Sequence, residues 1–162
     1  MQLVIVRPPL VYGPHCPGNF LRLLKLVHSG LPLPFGAIKN RSSFISIWNL
    51  ADFLRICVSH PGASDRLFLV SDMDDLALPD MLRQLGLGMG RPTRLVSINP
   101  VALAGVARVL GRGALYDKLC GSLAVDPRRA RDVLGWMPPV STTEGLRRTA
   151  QWYASERAGH SP

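Results

Sequence analysis

Three tyrosines, three cysteines and four histidines carry most of the chain's capacity for acid–base, nucleophilic or metal chemistry. A tyrosine acts as a general base when a neighbouring cation lowers its phenol pKa towards working pH. Four residues after Tyr12, Tyr116 and Tyr153 stand Cys16, Cys120 and Arg157, so the sequence contains no Tyr-x-x-x-Lys pair. Cys16, Cys57 and Cys120 are odd in number and lack the C-x-x-C spacing of disulfide frameworks and zinc sites. His15 beside Cys16 is an adjacent metal-capable pair, but no third or fourth ligand lies near it in sequence. No Ser/His/Asp or paired-carboxylate pattern has persuasive spacing. No catalytic residue and no metal site are predicted.

What remains is the chemistry of binding. Arg7–Pro14 reads R-P-P-L-V-Y-G-P, a strand end that turns sharply. Ligands collect at the carboxyl ends of strands in open parallel sheets, although the segment taken alone reads better as an ordinary proline-rich turn. Asn19 stands at a helix start. There it serves either as a plain N-cap or beside a phosphate drawn to free N–H groups and the positive end of the helix dipole. Gly86-x-Gly88-x-Gly90 has the glycine density of a dinucleotide loop. It follows a helix rather than a strand and runs into Arg91-Pro92, so it is read as a helix-ending loop.

The elements that must position these residues alternate between strands and helices. Gln2–Arg7 is a β-branched run expected as a strand covered on both faces, and it wants a neighbour on each side. A helix with Phe20, Leu23, Leu24 and Val27 on its apolar face ends at Ser29-Gly30. LPLPFG at 31–36 is extended and Ser43–Ile47 is a short strand. Asn49 opens an amphipathic helix through Val58, and Arg66–Val70 is an apolar strand. Leu78–Leu87 is a helix with Pro79 in its tolerant first turn. Arg94–Ile98 is a candidate strand, and Pro100–Leu110 a largely apolar helix. Asp126, read as an N-cap, begins a basic helix ending at Leu134-Gly135-Trp136. Ser141-Thr142-Thr143-Glu144 offers a capping box to the last helix. The class is α/β.

Composition narrows the partners. The chain has 162 residues, 47% of them hydrophobic, enough for one domain with a substantial core. No run reaches the ~18 uncharged apolar residues of a membrane span. Nineteen basic against eleven acidic residues give a net charge of +8, and sixteen of the nineteen are arginine. They are scattered, without interleaved aromatics, whereas nucleic-acid proteins concentrate charge on one face. Neither nucleic acid nor membrane is expected as a partner, and the localisation expected is cytoplasmic.

Taken together, an ordered set of segments resembles a known family. The set is RPPLVYGP at 7–14, Gly18-Asn19-Phe20, GLPLPFG at 30–36, NRSSFISIWNLAD at 40–52, FLVSD at 68–72 and VDPRRARDVLGWMPPVSTTEGL at 125–146. It resembles the C-terminal half of the extended short-chain dehydrogenase/reductases, the NAD-dependent nucleotide-sugar epimerase/dehydratase family. Its bacterial surface-polysaccharide branch is the nearest in pattern. The resemblance implies the substrate-binding part of such an enzyme with the last strands of its Rossmann-like sheet. Residues 1–17 and about 43–72 would supply sheet elements, about 18–42 and 73–158 the substrate-binding subdomain, and 159–162 a tail.

The resemblance also implies roles for single residues. Pro8 and Pro9 would line the nicotinamide side of the cofactor, and Leu10 replaces a sugar-contacting asparagine of the galactose epimerases. Asn19 would hold the nucleotide-sugar diphosphate, with Leu33 and Phe35 against the uracil ring, Phe35 reading equally as core. Ser42 falls at the usual phosphate-binding arginine column, one residue after Arg41. Either Arg41 takes that role through a small backbone shift, or the clamp is weakened, or Arg41 is simply solvent-exposed. Trp48 sits where an aspartate is common, and Leu134, Trp136 and Pro138 would dock the last helices. The family's glycine-rich turn and Tyr-x-x-x-Lys would lie upstream of Gln2. The chain alone is therefore expected to be inactive and not to bind the NAD or NADP of the intact enzyme, whose chemistry would be oxidation and reduction at the sugar C4. The expected partner is a nucleotide-sugar such as a UDP-hexose or UDP-N-acetylhexosamine. The alternative is a stand-alone or split binding module that pairs with another chain, or with a copy of itself, through its exposed sheet edge.

Overall fold

The computed structural model describes residues 3–159, so Gln2 of the first expected strand and the tail residues 160–162 lie outside the described residues. The chain is α/β, with strands β1 (Val4–Arg7), β2 (Leu10–Tyr12), β3 (Phe44–Ser46) and β4 (Arg66–Leu69). Its helices are α1 (Gly18–His28), α2 (Ile47–Ser59), α3 (Leu78–Gly88), α4 (Pro100–Val109), α5 (Gly113–Cys120), α6 (Arg128–Leu134) and α7 (Thr142–Ala158). The strands form two parallel pairs, β1 with β4 and β2 with β3. Arg7 is opposite Leu69 in one pair, and Leu10 opposite Phe44 in the other. Parallel pairing needs long crossovers, and α1 and α2 lie within them.

Two apolar clusters hold these layers. Phe20, Leu23, Leu24 and Val27 of α1 meet Leu78, Met81, Leu82 and Leu85 of α3 and Leu146, Ala150 and Tyr153 of α7. Helices α3 and α7 approach closely because Gly88 has no side chain; a Cβ there would stand 2.7 Å from Ala150 Cβ. The second cluster joins Ile45, Phe53, Phe68, Val70, Ala130, Leu134 and Trp136. Trp136 meets Phe53 edge-on at 5.0 Å and donates its indole N–H to Asp52 at 3.0 Å. Docking by LGW is thus physical: the indole fastens the end of α6 to the side of α2.

Several local expectations are corrected. β1 is covered on one face only: Val4 and Val6 are half-buried against the second cluster, whereas Ile5 and Arg7 are exposed. β1 pairs only with β4 among the described residues. α1 begins at Gly18 with Pro17 in the N-cap position, so Asn19 is the second helical residue and not the cap. α2 begins two residues before Asn49, because the Ser46 hydroxyl accepts from the Asn49 N–H and caps it. Arg94–Ile98 is not a strand; it makes a single bridge, Leu95 to Leu33. α5 has no counterpart in the expected elements. The N-cap of α6 is Pro127 rather than Asp126, whose carboxylate accepts from the Arg128 N–H just outside the helix. Gly86 and Gly88 belong to α3 itself, and only Gly90, at φ +68°, makes the left-handed turn. The box at α7 is half-made. Ser141 Oγ accepts from the Glu144 N–H, but the Glu144 carboxylate turns to Arg147 and Arg148, which hold its pKa down at about 2.

Candidate functional site

β2 and β3 open on the register pair Leu10 and Phe44, and these two side chains form one wall of a cavity of about 360 Å³. Leu23 of α1 with Leu78 and Met81 of α3 extends the apolar wall. The polar side is drawn from Asn19, Asn40, Ser42, Ser43, Ser122 and the ends of α5, Asp117 and Lys118. Asn19 reaches it because it sits in the first turn of α1, beside N–H groups that no side chain caps.

The loop 40–43 is held rigidly where it borders the cavity. Asn40 Oδ1 accepts from the Leu78 N–H at 2.7 Å, and Asn40 Nδ2 donates to the Gly121 carbonyl at 3.0 Å. Ser42 Oγ donates to the same carbonyl at 3.2 Å, and its backbone exchanges both hydrogen bonds with Leu76. Ser43 Oγ donates to Asp75 at 2.5 Å and accepts from the Val125 N–H at 3.0 Å. These bonds fix the loop's shape beside the cavity and use up both serine hydroxyl protons, so the donors left facing it are the Asn19 amide, the uncapped N–H groups of α1 and Lys118.

The sequence-predicted site residues divide among several places. Asn19 and Ser42 share the cavity. Leu33 and Phe35 do not line it; Leu33 is buried in the core, and both border an apolar groove on the other side of α5. Arg41 points away from the cavity, with its side chain exposed and its Nε donating to Asp75 at 3.1 Å. The one basic side chain among the cavity-lining residues is Lys118, which lies on the unforeseen α5. Pro8 and Pro9 link β1 to β2, Pro8 exposed and Pro9 half-buried, and neither borders this cavity.

Behind the cavity lies a buried polar clamp. The Asp72 carboxylate accepts from the Tyr12 hydroxyl at 2.7 Å, from Asn49 Nδ2 at 2.6 Å and from the Ser46 N–H at 3.0 Å. Asn49 in turn grips Val140, donating to its carbonyl at 2.7 Å and accepting from its N–H at 2.9 Å. Gly145 makes room for this clamp, since a Cβ there would stand 2.5 Å from Tyr12 Oη. Burial, then the Asp72 carboxylate, pushes the Tyr12 phenol far above its ordinary value, so it is a fixed donor and no base. Burial likewise holds the Cys120 thiol up at about 11, leaving it unreactive at neutral pH. No His/Cys/Asp/Glu group that could hold a metal ion occurs among the described residues.

Comparison with known proteins adds relatives to this geometry. A UDP-glucose 4-epimerase from Vibrio cholerae is 40% identical over 152 residues, covering 93% of this chain and 46% of its own length. The N-acetyl-alpha-D-glucosaminyl-diphospho-ditrans,octacis-undecaprenol 4-epimerase of Escherichia coli O157:H7 is 21% identical, covering 93% of this chain and 49% of its own length. Among solved structures, the UDP-glucose 4-epimerase of Thermotoga maritima with UDP-glucose shares the fold at TM-score 0.69 and 14% identity, over 97% of this chain and 47% of that one. A UDP-glucuronic acid 4-epimerase from Bacillus cereus in complex with NAD does so at TM-score 0.70 and 18% identity, over 98% of this chain and 45% of that one. No family model matches the chain. The chain spans about half the length of the curated relatives it matches.

Proposed function

Because this chain is the counterpart of the C-terminal half of the extended short-chain dehydrogenase/reductases of the NAD-dependent nucleotide-sugar epimerase/dehydratase family, we propose that it is the substrate-binding portion of such an enzyme. The ligand would be a UDP-hexose or UDP-N-acetylhexosamine that the whole protein oxidises and reduces at C4. The observation that carries this reading is the cavity where Asn19, the free N–H groups of α1 and Lys118 converge beside the anchored loop 40–43. A diphosphate there meets a helix dipole, the Lys118 cation and the Asn19 amide, with Asp117 the one opposing charge. Leu33 and Phe35 flank the neighbouring groove, Arg41 stands at the outer rim beside Asp75, and Pro8 and Pro9 would turn towards the nicotinamide.

When bound, NAD supplies hydride acceptance and return in such enzymes. Among the described residues the one glycine-rich string, Gly86 to Gly90, runs through the end of α3 and does not form a strand-to-helix phosphate turn. These residues therefore do not fit a dinucleotide cradle, and the task assigned to them is to hold and orient the sugar nucleotide. In this reading residues 1–17 and about 43–72 belong to the sheet of the cofactor domain, about 18–42 and 73–158 to the substrate-binding part. The open edge of β1 is where the rest of the enzyme, or another chain, would continue that sheet.

Calorimetric titration with UDP-N-acetylglucosamine tests the reading. Loss of a hydrogen bond to a charged group costs about 1.5–3 kcal/mol, so Asn19→Ala and Lys118→Ala should each weaken binding roughly tenfold or more. Arg41→Ala should leave it within about twofold, since an exposed pair contributes little. An Arg41 variant that loses more affinity than the Asn19 variant would overturn this placement of the diphosphate.

A further inference from the structure

Helix α4 is built of apolar residues and buries none of them. Val101, Val106 and Val109 are 80%, 57% and 88% exposed, and Leu110, just past its end, is 66% exposed. Val101, Gly105 and Val109 recur every four residues and form one outward stripe, with Ala102 and Val106 beside it. A solvent-facing helix in a soluble domain is normally polar on that face. Leu103 and Ala107, with the edge residues Val106 and Leu110, border an apolar groove of about 370 Å³ whose far wall is Leu31, Leu33 and Phe35.

The surroundings of this face are basic. Segment 91–118 carries Arg91, Arg94, Arg108, Arg112 and Lys118 against a single acid, Asp117. Arg112 also lines an adjoining groove with Arg22, Lys25 and Lys118. None of Arg22, Lys25, Arg108, Arg112 or Lys118 forms a salt bridge among the described residues. A second copy docking the same face onto itself would bring two basic rims together. An apolar stripe with a basic rim instead matches the acyl and headgroup layers of an anionic membrane.

We propose that the α4 face is a monotopic docking surface for an anionic lipid bilayer, with Val101, Val106 and Val109 entering the headgroup boundary and Arg108 and Arg112 meeting lipid phosphates. This departs from the expectation of no membrane partner. It agrees with the observation that no helix among the described residues is long and apolar enough to cross a membrane. The proposal is separable from the nucleotide-sugar reading at Val101 and Val109, which border neither the Asn19 cavity nor the groove of Leu33 and Phe35, whereas Arg112 lines a groove with Asn19 and Lys118.

Flotation of the whole chain with vesicles tests it, using phosphatidylcholine with about 30% phosphatidylglycerol against phosphatidylcholine alone at low salt. The chain should float with the anionic vesicles. The double variant Val101→Ser/Val109→Ser and the double variant Arg108→Glu/Arg112→Glu should each lower the partition coefficient about tenfold. The substituted side chains are exposed, and unchanged far-UV circular dichroism would certify the fold. Absence of flotation would overturn the proposal. So would undiminished binding by the serine variant, which would reduce the effect to the net charge of +8. Self-association in sedimentation that the serine variant abolishes would also overturn it, in favour of a second copy on this face.

Discussion

Replacing Trp136 by alanine should lower the free energy of unfolding by about 3–5 kcal/mol, the range for emptying a buried aromatic site. The indole is 2% exposed, stacked edge-on against Phe53, and its N–H has one partner, Asp52. Truncation leaves a cavity between α6 and α2 that Phe53, itself fixed between Trp136 and Phe68, cannot close. Urea denaturation should give a midpoint far below that of the parent chain at similar slope. The neighbouring Met137→Ala should stay within about 0.5 kcal/mol, since that side chain is 59% exposed. Equal effects at both positions would mean that the cluster around Trp136 is not a true core.

The second large effect is expected at Asn49. Asn49→Ala removes three hydrogen bonds at a residue with no solvent exposure and leaves both backbone groups of Val140 and one Asp72 oxygen short of partners. Each unsatisfied buried group costs about 1–3 kcal/mol, so a loss of about 3–5 kcal/mol is expected. The loss should also depend on pH. Burial raises the Asp72 pKa in the folded chain, and the hydrogen bond from Asn49 is the largest opposing influence. A carboxyl whose folded pKa lies above its unfolded value of ~3.9 is held protonated more tightly in the folded state. Its contribution therefore weakens stability as pH rises from that value through the raised folded one. Without Asn49 the folded pKa climbs further, so the gap between variant and parent should widen as pH rises above the unfolded carboxyl's value. A gap that narrows over that range would contradict the clamp.

How far the sequence reveals this molecule depends on whether its signals are local. NLAD and LGW could be read because each carries its own physics, an amphipathic period in one and a large indole beside a helix stop in the other. Ser46 caps α2 rather than Asn49, three residues on; both are good capping residues, and only the backbone decides between them. Asn19 stands at the expected helix end, and of its two readings the plain N-cap falls away, since Pro17 holds the N-cap position. α5 was invisible: eight residues between glycines form no stable helix alone, and it exists by packing against α4. Lys118 was lost with it. Arg41, adjacent in sequence to the phosphate column, instead faces Asp75 across a loop that sequence spacing cannot orient. The apolar character of α4 was legible, but its exposure was not, because periodicity reports pattern and not what covers it.

If a sugar nucleotide binds with its diphosphate between the start of α1 and the end of α5, as proposed, backbone amide shifts on titration with UDP-N-acetylglucosamine should reveal it. Shifts should concentrate at residues 18–20, 40–44 and 118–123, with Arg66–Leu69 unmoved. Shifts centred on Val4–Arg7 of β1 with none around Asn19, or none anywhere at saturating ligand, would contradict it.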